Sequence, residues 1–126
     1  MSRQAIVTNK VAPAIGPFSI GVRAGGFVFL SGQVALDPAS GKLIAGDVSA
    51  QTEQIFRNIA AVLDASGKSF ADIVKTAVFL ADMKDFAAMN AIYARHFETP
   101  FPARTTIAVA GLPLGAAVEI EALVGP

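Results

Sequence analysis

The chain has 126 residues, 53% hydrophobic and 16% charged, with ten basic residues balancing ten acidic ones. That length suits one domain over residues 1–126, and the apolar content is ample for a core, which excludes a disordered chain. The balanced charge without a basic run excludes an electrostatic footprint for nucleic acid or anionic membrane, and the lack of cysteine removes disulfides, thiolate metal sites and thiol nucleophiles together.

Met1-Ser2-Arg3-Gln4 leads into a short apolar strand and not into the hydrophobic region of a signal peptide, and no apolar stretch reaches membrane-spanning length. A cytoplasmic protein is expected. Gly21 to Ala24 and Phe27 to Ser31 flank Gly25-Gly26, a pair able to take the positive φ of a tight hairpin. Val34 to Leu36 and Leu43 to Ile44 flank a second reversal at Asp37-Pro38-Ala39-Ser40-Gly41-Lys42. From Asp47 the period changes: Asp47 is placed to cap a helix with a buried stripe of Ile55, Ile59, Val62 and Leu63, ended by Gly67. Ile73 to Leu80 returns to β-branched composition. Asp82 or Asp85 then starts a second helix, with Phe86, Met89, Tyr93 and Phe97 at helical spacing. Two alternating segments come last, Ala103 to Val109 and Val118 to Val124.

This order predicts an α+β, two-layer domain with a mixed β-sheet and both helices on one face. Two helices cover one face of such a sheet and leave the other bare. A homo-oligomer is therefore expected, its subunits meeting through that face.

Arg104 is the anomaly in this pattern, a cation in a run of small and β-branched residues, Phe101-Pro102-Ala103-Arg104-Thr105-Thr106-Ile107-Ala108-Val109. Alternation puts Arg104, Thr106 and Ala108 on one face of a strand and Thr105, Ile107 and Val109 on the other. In the last segment Glu119, Glu121 and Leu123 oppose Val118, Ile120, Ala122 and Val124. If the two strands pair through the Leu112-Pro113-Leu114-Gly115 loop, both aliphatic faces meet the core, and Arg104 shares a polar face with a glutamate. From pattern alone, a partly exposed ion pair and a substrate anchor account for Arg104 equally well.

The motifs Ala14-Ile15-Gly16-Pro17-Phe18-Ser19, Leu30-Ser31-Gly32-Gln33, Ile73-Val74-Lys75-Thr76, Asp85-Phe86 to Asn90-Tyr93, Phe101-Pro102-Ala103-Arg104 and Val118-Glu119-Ile120-Glu121-Ala122 occur in order and register. In them nearly the whole chain resembles the RidA family, also called YjgF/YER057c/UK114. The resemblance implies a chorismate-mutase-like fold and a homotrimer whose sheets form a central barrel-like core, with ligand clefts between subunits. It implies hydrolysis of reactive enamines and imines, such as 2-aminoacrylate and 2-iminopropanoate, to 2-keto acids and ammonia, with no cofactor and no metal. The partners implied are small imino and enamino acids.

Residue by residue, the resemblance assigns Arg104 as carboxylate anchor and Glu119 as the group that positions water. A guanidinium fork suits a planar carboxylate, and a nearby carboxyl can orient water and shuttle protons. Phe18, Ser31, Gly32, Asn90 and Thr106 fall on substrate-binding positions. Without the family, Ser31 reads as a strand-end hydroxyl bonded to backbone, Asn90 as a locally satisfied helix residue, and Thr106 as an ordinary strand residue. The family often has Gly-Pro-Tyr-Ser-Gln where this chain has Gly16-Pro17-Phe18-Ser19-Ile20, so a phenolic hydroxyl and an amide are missing. That points to a larger or more apolar substrate.

Other signals are weaker. His96, the only histidine, reads as a solvated helix-end residue, and Asp82, Asp85 and Glu98 lack a metal-binding spacing. A non-catalytic trimer that binds small carboxylates is the main alternative function. Ribonuclease activity, also attached to the family, is disfavoured by zero net charge and the missing basic patch.

Overall fold

The computed structural model describes residues 2–126. Its strands are β1 (Gln4–Ala5), β2 (Gly21–Ala24), β3 (Phe27–Gln33), β4 (Ile73–Leu80), β5 (Ala103–Ala108) and β6 (Val118–Val124), and its helices are α1 (Val48–Ala65) and α2 (Phe86–Tyr93). The strands form one mixed sheet in the order β1-β2-β3-β6-β4-β5, in which only β4 and β5 run parallel. Both helices pack on one face. The α+β, two-layer expectation holds.

Local chemistry accounts for the elements. Gly25 and Gly26 carry φ of 58° and 83°, as a two-residue hairpin turn between β2 and β3 requires. Asp47 caps α1, its Oδ1 accepting from the Ala50 amide at 3.0 Å. At the other end Lys68 N–H donates to the Leu63 carbonyl and Gly67 N–H to the Asp64 carbonyl, a Schellman closure with Gly67 at φ 72°. Ile55, Ile59, Val62 and Leu63 form the predicted buried stripe against Val28, Val78, Leu80, Val118, Ile120 and Val124 of the sheet. The second helix is shorter than its apolar spacing predicts. A tight turn over Met83–Asp85, capped by Asp82, precedes it, and another over Ala94–His96 follows, so Phe97 reaches the core from outside the helix.

Two expectations are corrected. β5 and β6 are not partners, because β6 returns to the middle of the sheet between β3 and β4 while β5 takes the edge beside β4. An edge suits a strand preceded by Pro100 and Pro102. The parallel β4–α2–β5 crossover then lays α2 over β5, so the Arg104 face turns toward the helix and the Ile107 face turns away. His96 is not a solvated residue: its ring stacks on Phe56 at 4.4 Å and its Nε2 lies 3.6 Å from Glu53 Oε1.

The face away from the helices is rich in apolar side chains. Phe29 is 48% exposed and Ile107 46%, and between the strands a hollow of about 310 Å³ is lined by Phe29, Lys75, Ala77, Glu121 and Leu123. Among the described residues no helix is long and apolar enough to cross a membrane.

Candidate active site

The sheet register decides where the charged residues go. Thr76 of β4 is paired with Arg104 on one side and with Ala122 on the other, so these three share the helix face. Phe79 is paired with Ile107 and Glu119, which share the open face. Arg104 and Glu119 of one chain therefore lie on opposite faces of the sheet. The expected shared polar face does not exist within a single chain.

On the helix face, Arg104 Nη1 donates to Asn90 Oδ1 at 2.7 Å, the only side-chain hydrogen bond of its guanidinium among the described residues. The guanidinium carbon lies 4.7 Å from the centre of the Tyr93 ring and 5.5 Å from that of Phe86. Phe86, Asn90 and Tyr93 are spaced four and three residues apart, so one stripe of α2 supplies all three contacts. Asn90 is thus satisfied across the fold by Arg104 and not locally. The Tyr93 hydroxyl is bonded in turn to Thr76 Oγ1 at 2.7 Å, and burial raises its pKa against the lowering effects of that bond and of Arg104. Thr106 shares the Arg104 face two residues along, and its Oγ1 is buried without a hydrogen-bond partner.

On the open face, Glu119 lies against Gly32 of β3. A Cβ added at Gly32 would sit 2.9 Å from Glu119 Cδ and Oε2, so the bare glycine is what lets the carboxyl lie over that strand. Burial raises the Glu119 pKa, and the nearby charge of Glu121 raises it further. Next to Gly32, Ser31 Oγ donates to the Ser19 carbonyl at 2.6 Å, and Ser31 N–H to the Ile20 carbonyl at 3.0 Å. The hydroxyl thus ties the Pro17-Phe18-Ser19 segment to β3, as its backbone-bonded reading expects. Phe18 lies two residues after Gly16, which has φ of 125°, and is 54% exposed.

The predicted residues accordingly fall into two groups. Arg104, Asn90 and Thr106 stand on the helix face beside α2, while Glu119, Gly32, Ser31 and the Phe18 segment stand at the β3–β6 side. Phe86 and Tyr93, read in sequence as helical-spacing and family-motif positions but not as site residues, also belong to the first group. Their signal was present as the spacing of Phe86, Asn90 and Tyr93 on one helical stripe. The first group offers a braced cation with donors to spare, suited to a carboxylate; the second offers a partly desolvated carboxyl able to hold water and exchange a proton.

The chain matches the family model described as Endoribonuclease L-PSP over residues 9–125. It is 46% identical to the 2-iminobutanoate/2-iminopropanoate deaminase of Mus musculus over 121 residues, covering 96% of this chain and 90% of that one. Among solved structures, RidA from an Antarctic Psychrobacter species is 41% identical with a TM-score of 0.93, covering 98% of this chain and 99% of that one. Escherichia coli TdcF with bound serine is 38% identical with a TM-score of 0.90, covering 98% of each chain.

Proposed function

The chain belongs to the RidA family, the group matched by the Endoribonuclease L-PSP model, and on that premise we propose that it hydrolyses reactive 2-imino acids and their enamine tautomers. The products are a 2-keto acid and ammonia. The observation that carries this reading is the Arg104 guanidinium, braced by Asn90 and Tyr93 with its remaining donors uncommitted among the described residues. A planar fork held in this way matches the carboxylate of a small imino acid. The mouse relative named for 2-iminobutanoate and 2-iminopropanoate supports the substrate class.

Water adds to the imine carbon while the nitrogen takes up a proton; the carbinolamine then loses ammonia as its hydroxyl proton departs and the carbonyl forms. Glu119 orients the water and relays these protons. Its raised pKa brings it closer to neutrality than an ordinary glutamate, which suits a group that must both accept and return a proton. General acid/base assistance of roughly 10² to 10⁴ is sufficient for imines that already hydrolyse in water.

Because Arg104 and Glu119 stand on opposite faces, the working site is assembled from two copies, Arg104 and Asn90 from one and Glu119, Gly32 and Ser31 from its neighbour. The apolar open face favours that association, in a homotrimer with its sheets innermost. Phe18 walls the cleft without the phenol common in the family and favours an apolar substrate side chain.

The test generates 2-aminoacrylate with a serine or threonine dehydratase and follows keto-acid release. The purified protein should accelerate release, and Arg104→Ala should lose most of the effect. No acceleration, or equal acceleration by Arg104→Ala, sinks the reading. Arg104-dependent binding of short carboxylates without turnover would favour a non-catalytic binder instead.

A further inference from the structure

We propose that Tyr93, held by Thr76, is a positioning residue that fixes the plane of the Arg104 guanidinium, so that the anchor meets its substrate already oriented. The kinetic part of this inference rests on the proposed role of Arg104 as carboxylate anchor.

Arg104 sits on an edge strand, and Asn90 is the one protein oxygen that engages its guanidinium among the described residues. One hydrogen bond restrains one nitrogen and leaves the plane free to swing about it. A bidentate contact needs that plane defined, because the two parallel bonds to a carboxylate form only in it. The Tyr93 ring, 4.7 Å from the guanidinium carbon, supplies the missing restraint.

The ring is itself immobilised. Tyr93 is 5% exposed, its ring meets Phe56 edge-on at 5.7 Å and Phe97 at 4.7 Å, and its hydroxyl is bonded at 2.7 Å to Thr76, which is 1% exposed. Thr76 is also the β4 residue directly paired with Arg104. The chain of contacts therefore closes on itself: Arg104 to Tyr93, Tyr93 to Thr76, and Thr76 back to Arg104 through the sheet register. A phenol serves here for two reasons. Its face carries the cation, and its hydroxyl satisfies a buried threonine that would otherwise be orphaned. Leucine at position 93 would fill space but provide neither.

The test reads the guanidinium directly, by nitrogen–proton NMR relaxation of the Arg104 Nε–H, and the reaction separately, by KM and kcat for enzymatically generated 2-aminoacrylate. Tyr93→Leu is expected to lower the Arg104 order parameter and raise KM about tenfold while kcat falls much less. Tyr93→Phe keeps the face but frees the ring from Thr76, so it recovers only part of both losses. In an Arg104→Lys background, Tyr93→Leu should add little further to KM, since a planar platform no longer has a plane to align. An unchanged order parameter in Tyr93→Leu overturns the proposal, as does a KM penalty of full size in the Arg104→Lys background. If Tyr93→Leu fails to fold, Thr76→Val, which frees the ring without removing it, must show the loss of order in its place; a rigid Arg104 there overturns the proposal equally. The NMR arm needs no turnover, so a wild-type protein inactive on imines would remove the proposed function while the order parameters still decide the clamp.

Discussion

Arg104 and Glu119 lie on opposite faces of one sheet: Arg104 shares the register and face of Thr76 and Ala122, and Glu119 shares those of Phe79 and Ile107. If both charges act on one substrate, as proposed, they belong to two chains. Arg104→Ala and Glu119→Gln chains, each inactive alone, are expected to regain about a quarter of wild-type activity when refolded together, because random mixing restores one interface in four. Activity is followed by keto-acid release. No recovery in mixed oligomers of verified composition would show that the two residues do not meet across subunits.

Glu119 is shifted upward first by burial and then by Glu121. Its folded-state pKa exceeds its unfolded one, so in the window between them the native state holds more protons and stability falls as pH rises. Glu119→Gln is expected to raise Tm at neutral pH and to leave it unchanged at acid pH, below the unfolded value. A calorimetric Tm difference independent of pH contradicts this.

The same shift sets the acid limb of the rate profile. If ionised Glu119 orients the water, kcat/KM declines on acidification at a pH above the ordinary glutamate range, and Glu121→Gln moves that limb downward without abolishing the shift, since burial remains. A limb unmoved by Glu121→Gln would fault the assignment of Glu119.

Gly32 is expected to tolerate alanine in folding but not in catalysis. The added methyl would stand 2.9 Å from the end of the Glu119 side chain, which can swing aside at small energetic cost but then leaves its position over β3. Gly32→Ala should lower kcat by about tenfold or more, a part of the roughly 10² to 10⁴ that acid/base assistance provides, with Tm nearly unchanged. Equal kcat in the two proteins would mean that the position of the carboxyl is immaterial.

Phe18 is half-exposed, so Phe18→Tyr places its hydroxyl in solvent or in the cleft without a folding cost. Relative kcat/KM should shift from apolar toward smaller imino acids by about 3- to 10-fold, the worth of one modest hydrogen bond. A panel of imines made by amino-acid oxidase or dehydratase reads the change. An unchanged ranking would remove Phe18 as a specificity residue.

Much of this protein was legible in the amino-acid order, and for local reasons. Gly25-Gly26, Asp47 and Gly67 carry their turn and cap chemistry with them, and the alternation of Val118 to Val124 sorts Glu119 from Ile120 whatever surrounds the strand. The family motifs likewise brought Arg104, Glu119, Ser31, Gly32, Asn90, Phe18 and Thr106 forward as candidates. Alternation fixes which residues of a strand share a face, but it carries no information about which face a helix will cover. That was settled by β6 entering between β3 and β4 and by α2 crossing above β5, both long-range events. Only those placements turned Arg104 toward Asn90 and Tyr93, laid Glu119 over Gly32 on the other side, and made the two halves of the proposed site face away from each other within one chain.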